Sequence, residues 1–144
     1  MQTPITDCNH YFWKGGRDLK KNNLKEALEK GKNVFGPFMK FSDSAAVEIM
    51  GFAGFDFVII DAEHGPISMQ SAQNMIRAAE TVNITPVIRV SDNDEPLILR
   101  ALDIGAQGIE IPQINSKSQA NKSSKICKIC SSRGTWCLPI CKGC

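Results

Sequence analysis

The stretch "IIDAEHGP" brings Asp61, Glu63 and His64 together, and "VIRVSDND" puts Arg89 at the end of an apolar run. A histidine in a polar turn, flanked by Gly65 and Pro66, is placed to act as a general acid/base. The competing reading is that His64 only caps or hydrogen-bonds the turn. A guanidinium that closes an apolar strand must be paired or must await an anion, and its fork matches a carboxylate. Arg89 therefore reads either as a seat for an acidic substrate or as one half of an internal salt bridge to Asp61 or Glu63. Those two carboxylates could pair with Arg89 or bind a metal, and spacing leaves both open.

A second constellation lies in the tail, where Cys127-x2-Cys130-x6-Cys137-x3-Cys141-x2-Cys144 contains two C-x-x-C pairs. Taken alone, these pairs read as a structural zinc or iron–sulfur site. They sit in a different compositional regime from the middle of the chain, which has no cysteine between Asn23 and Pro112. Hydrophobic patterning is also expected to stop near Ser116, with no Pro/Gly hinge at the boundary.

With 144 residues, 42% hydrophobic and 22% charged, the chain has the composition of one ordinary globular domain. A net charge of +2 gives no reason to expect nucleic acid or an anionic membrane as partner. The longest apolar stretch, "GFAGFDFVII", is too short and interrupted to span a bilayer. The N-terminus lacks an apolar segment followed by a small-residue cleavage site, so a cytoplasmic location with reduced cysteines is expected.

The middle of the chain alternates. "NNLKEALEKGK" predicts a short helix capped by Asn23, with Leu24, Ala27 and Leu28 on one face and Gly31 at its end. "NVFGPFMKF" reads as a strand, and "SDSAAVEIMGFAG" as a helix capped by Ser42 or Asp43 with Ala46, Val47, Ile49 and Met50 at helical spacing. "FDFVIID" is a buried strand. A helix capped by Ser68, the strand "TPVIRV", a helix opening at "DNDEP" and closing at Gly105, and the strand "QGIEIPQI" complete the pattern. Repeated strand–helix alternation predicts a parallel α/β sheet. No strand is followed by G-x-G-x-x-G, which favours part of a (β/α)8 barrel over a dinucleotide-binding sheet. In either architecture the carboxyl ends of the strands face the ligand, so Asp61, Glu63, His64 and Arg89 share one rim.

"GFDFVIIDAEHGP", "PVIRV" and "LDIGAQGIEIP", in that order between Asn22 and Ala120, resemble the HpcH/HpaI aldolase/citrate lyase family. The resemblance implies a barrel enzyme that makes or breaks a carbon–carbon bond next to a 2-oxo acid. It implies cleavage of a 4-hydroxy-2-oxo acid to pyruvate, or a related 2-oxo acid, and an aldehyde. A divalent metal (magnesium, manganese or cobalt) would stabilise the enolate as a Lewis acid. Arg89 matches the arginine that holds the oxo acid, and His64 the histidine of the acid/base step. Asp103 in "ALDIGA" matches an aspartate paired with that histidine; at the end of a helix it points to the other rim, so the pairing calls for a neighbouring subunit of a homo-oligomer. A thioester lyase of the citrate-lyase type is the alternative enzyme, and a non-enzymatic zinc-binding protein the alternative class.

Departures from the family pattern set further expectations. Its Glu and Asp metal ligands lie on later strands and have no counterpart here, and about four β/α units stand where a closed barrel takes about 250 residues. Residues 1–21 read as a leader of doubtful relevance, with an alternative start at Leu19; 22–116 as the N-terminal half of the barrel; and 117–144 as a Cys-rich tail. Read one base later through permissible codons, "KICKIC" becomes Lys-Tyr-Ala-Lys-Tyr-Ala, and the shifted tail resembles the family's stretch after strand four. A frameshift within 117–125 and a truncated, inactive fragment are therefore expected, against the competing zinc-binding tail.

Overall fold

Apolar strands that must bury both faces need helices to cover one of them, and the chain supplies one after nearly every strand. The computed structural model describes residues 22–129 and 136–141, with only backbone described from residue 128 onward. The leader, its alternative start at Leu19, and the tail residues Cys130 and Cys144 lie outside the described residues.

The elements are α1 (Asn23–Glu29), β1 (Phe38–Met39), α2 (Ser44–Phe52), β2 (Phe57–Asp61), α3 (Met69–Thr81), β3 (Thr85–Arg89), α4 (Glu95–Asp103), β4 (Gly108–Ile114), α5 (Lys117–Ile129) and β5 (Trp136–Cys141). All five strands join one parallel sheet in the order β1-β2-β3-β4-β5. This is a segment of a (β/α)8-type barrel, with each helix returning the chain to the start of the next strand. Among the described residues no helix is long and apolar enough to cross a membrane.

Local chemistry explains where the helices begin. Ser68 caps α3 by accepting from the Ser71 N–H, and Asp43 caps α2 by accepting from the Ala45 N–H. In α1 the cap is Asn22, one residue ahead of the expected Asn23; its Oδ1 accepts from Lys25 N at 3.0 Å. Asn22 wins because its Nδ2 also donates to the carbonyl of Gln107 at 2.8 Å, tying α1 to the entrance of β4. Gly31, Gly54 and Gly105 sit at φ of 67°, 89° and 106° just past α1, α2 and α4, where a side chain would be strained.

The strands sort their side chains by parity. Val58 and Ile60, Ile88, and Ile109 and Ile111 face the helices and form the main core with Met75, Ile98 and others. Ile59 and Val87 face the other way, into a smaller cluster closed by Leu24 of α1. Thus α1 lies across the inner face at the end where the strands start.

Three differences from the sequence reading have physical causes. The "NVFGPFMKF" strand shrinks to two residues because Pro37 cannot extend the ladder, and Gly36 packs so close to the Phe57 backbone that a Cβ would lie 2.3 Å from its oxygen. Ile49 is 66% exposed, so the buried side of α2 rests on Val47. The alternation also continues beyond Ser116: Ser123, Ile126 and Cys127 of α5 are buried, and β5 pairs with β4. Just before that pairing ends, β4 carries a register shift between Ile111 and Ile114, with Gln113 at φ 57°.

Replacing Asn22 with Ala removes both the cap and the tie to β4. We expect a loss of about 1–2 kcal/mol, read as a lower urea midpoint with an unchanged slope, whereas Asn23→Ala should be nearly neutral.

Candidate active site

Parallel register puts Asp61 opposite Arg89, and Arg89 opposite Glu110, on three neighbouring strands. Residues in register share a face, so the three side chains form one polar row on the inner face. Beneath it lie Ile59 and Val87. Gly108 adds no side chain to that layer, and a Cβ there would crowd Val87 at 3.1 Å.

Asp61 anchors the row. Its Oδ1 accepts from Arg89 Nε at 2.9 Å and its Oδ2 from Arg89 Nη2 at 2.5 Å, a bidentate pairing. The same Oδ1 accepts the backbone N–H groups of Glu63 and His64, each at 3.1 Å. Burial pushes the Asp61 carboxyl up, but the Arg89 hydrogen bonds and the two backbone donors outweigh it and hold the pKa at about 2. The partner responds in kind: the hydrogen bond to Asp61 raises the Arg89 pKa above its ordinary value.

The loop after β2 closes on this carboxylate. Gly65 N donates to the Asp61 carbonyl at 3.1 Å, and a Cβ at Gly65 would lie 2.5 Å from that oxygen and 3.0 Å from the Lys40 carbonyl. The turn thus depends on glycine for close approach, although its φ is not positive. It carries Glu63, whose Oε2 stands 3.2 Å from Arg89 Nε and whose Oε1 stands 3.6 Å from His64 Nε2. Glu63 bridges the histidine and the arginine, which places both on one rim. The His64 side chain is 61% exposed. From β1, the Phe38 ring lies 4.9 Å from Arg89 Cζ, a cation–π contact on the open side of the row.

The alternatives left open by spacing now resolve in part. Asp61 and Glu63 pair with Arg89, and Asp61 spends its acceptors on Arg89 and the turn. Arg89 Nη1, by contrast, is left at 4.0 Å from Glu110 Oε1, beyond hydrogen-bond reach. Asp103 is the exposed last residue of α4, shortly before β4 begins, and so lies at the opposite end of the sheet from Arg89. Within one chain it is not brought to His64. Sequence reasoning missed Glu110 as a site residue, although an acid inside the apolar run "GIEIP" is the signal that could have found it.

Among the described residues, no group of three or more His, Cys, Asp or Glu side chains could hold a metal ion. Asp61, the most deeply buried acid of the row, is fully engaged by donors, so these residues do not fit a divalent-metal site.

A parallel β/α sheet with its charged row at the carboxyl ends of the strands defines a protein of the (β/α)8-barrel class. The profile of the HpcH/HpaI aldolase/citrate lyase family matches residues 35–135, and the chain belongs to that family. The chain is 35% identical over 107 residues to a hydroxypyruvate/pyruvate aldolase of Roseobacter denitrificans, covering 74% of this chain and 42% of that one. It is 34% identical to a 4-hydroxy-2-oxo-heptane-1,7-dioate aldolase of Salmonella dublin, covering 72% of this chain and 39% of that one. A solved structure of an HpcH/HpaI aldolase/citrate lyase family protein from Burkholderia cenocepacia superposes with a TM-score of 0.70 at 28% identity, over 74% of this chain and 42% of that one. The chain therefore spans about two-fifths of the length of the relatives it matches.

Two measurements probe the row. The folded Asp61 carboxyl is held at about 2 against an ordinary 3.8, so its contribution to stability is present above the ordinary value and is lost as pH falls toward 2. The stability difference between wild type and Asp61→Asn should be flat at neutral pH and shrink across that acid window in urea titrations. Gly65→Ala should cost about 2 kcal/mol through overpacking against backbone, and should shift the backbone amide signals of Glu63 and His64.

Proposed function

We propose that this chain carries the oxo-acid seat and the acid/base histidine of a metal-dependent carbon–carbon lyase. The reaction class is retro-aldol cleavage of a 4-hydroxy-2-oxo acid to pyruvate (or a related 2-oxo acid) and an aldehyde. One observation carries the reading: Arg89 is oriented by Asp61 and Glu63 through Nε and Nη2, while Nη1, with two N–H groups, is beyond hydrogen-bond reach of the row's carboxylates.

In this reading the substrate carboxylate takes Nη1. His64, exposed on the adjacent loop, accepts the proton of the 4-hydroxyl as the C3–C4 bond breaks. The electron pair of that bond becomes the enolate of the oxo acid, and a proton delivered to C3 completes the product. Glu63 orients both groups, and Asp103 joins His64 only across a subunit boundary in a homo-oligomer. A divalent metal (magnesium, manganese or cobalt) belongs to the family's chemistry as a Lewis acid for the enolate. No described residues fit it, and no step here is routed through it. The aldolase names of the relatives in Roseobacter and Salmonella support the reaction class.

Titrating pyruvate into the labelled chain should shift the Arg89 guanidinium and His64 ring signals. Arg89→Lys keeps the charge but loses the fork, and should weaken binding by about tenfold to a hundredfold. Pyruvate binding unaffected by Arg89→Lys would refute the seat.

A further inference from the structure

Glu110 is a carboxylic acid set inside the inner face of β4, and the reaction scheme makes no use of it. Its side chain is 4% exposed, and no described residue donates a hydrogen bond to its carboxyl. Among the described residues the nearest cation is Arg89, whose Nη1 stands 4.0 Å from Oε1. Between the two lies a gap flanked by a donor group and an acceptor group, neither of which is satisfied by the other. Among the described residues no side-chain oxygen is both sealed from solvent and without a partner, so the Glu110 carboxyl keeps a narrow contact with solvent through which a proton can reach it.

Charge makes the placement more pointed. Asp61, Glu63 and Glu110 converge on the single guanidinium of Arg89. With all three ionised the row is already negative in excess, and an entering carboxylate would be repelled by the acid nearest the vacant Nη1. With Glu110 protonated the excess falls, and its new O–H can donate to the incoming anion while Nη1 takes the other side. Among the described residues, the titratable groups facing Glu110 are Arg89 from β3, Asp61 from β2 and Glu63 from the following loop, with His64 behind Glu63. On β5 the residue in register is Leu138, which does not titrate.

Building on the oxo-acid seat described above, we propose that Glu110 is a positioning residue that couples binding of a 2-oxo carboxylate at Arg89 to uptake of one proton from solvent. Glu110 then acts as a hydrogen-bond donor to the bound anion, and in its ionised form it closes the seat. Two features support this: the short gap to Nη1, and burial that already pushes the Glu110 carboxyl above its ordinary value despite the opposing pull of Arg89. The sign follows: affinity is highest below the Glu110 titration and falls as pH rises through it.

The test uses the full chain, pyruvate as probe, and calorimetry at one pH in two buffers of different ionisation heat. Wild type should take up about one proton per pyruvate above the Glu110 titration, with Kd weakening roughly tenfold per pH unit there. Glu110→Gln, which fixes a neutral donor, should remove both the uptake and the pH dependence and bind more tightly than wild type at alkaline pH. Wild-type binding that is flat with pH, or uptake that persists in Glu110→Gln because the proton goes to His64, overturns the proposal while leaving the seat intact. If neither protein binds pyruvate at any pH, the seat falls and the proposal with it. Should Glu110→Gln fail to fold by circular dichroism, the wild-type uptake and the carbon-13 titration of the Glu110 carboxyl decide alone. A Glu110 signal that titrates in the ordinary carboxylate range and does not respond to pyruvate counts against it.

Discussion

The carboxylate of Asp61 is approached by donors from two directions, and the functional end of the molecule is organised around that meeting. From β3 comes the fork of Arg89; from the turn after β2 come the backbone N–H groups of Glu63 and His64. A buried ion pair alone is weak evidence for stability, because desolvation opposes the Coulomb attraction. Here the remaining acceptor capacity is filled by backbone donors, the condition under which burial of charge is tolerated. One side chain therefore fixes the orientation of the guanidinium and the path of the loop that carries the imidazole.

That double duty constrains the surroundings. The turn must approach its own carbonyl and the Lys40 backbone closely, which leaves room for hydrogen but not for a methyl at Gly65. Glu63 completes the electrostatic chain by lying between His64 and Arg89. Phe38 bounds the guanidinium from β1 without competing for its N–H groups. The result is an arginine held by one edge and open on the other. Preorganisation of this kind lets a charged group meet a ligand without losing side-chain entropy at that moment.

Much of this was legible in the chain and some was not, for identifiable reasons. Strand–helix alternation, the Ser68 and Asp43 caps and the rim position of Asp61, Glu63, His64 and Arg89 follow from periodicity and from the rule that parallel sheets present ligands at strand ends. Asn22 and Asn23 are chemically identical neighbours, and only the distant Gln107 carbonyl distinguishes them. Glu110 became a site residue through register, a relation between strands that no single segment encodes. Helix α5 was hidden because its buried stripe, Ser123, Ile126 and Cys127, opens on a polar residue; that serine is satisfied by Asn93 Oδ1 at 2.8 Å and the Gln119 carbonyl at 2.9 Å. The fifth strand lay in a stretch whose composition had suggested that patterning was over.

The same parity that builds the core also aims the site. Val58 and Ile60, Ile88, and Ile109 and Ile111 must face the helices, so the alternate residues of β2, β3 and β4 must face inward. A one-residue slip of β3 would turn Arg89 toward the apolar cluster under the helices and would bring Ile88 to the inner face. Packing forbids the slip because Ile88 is fully buried, and electrostatics forbids it because Arg89 would lose Asp61. The two penalties have different physical origins but act on the same register, so the hydrophobic pattern that makes the sheet recognisable also fixes where its charges stand.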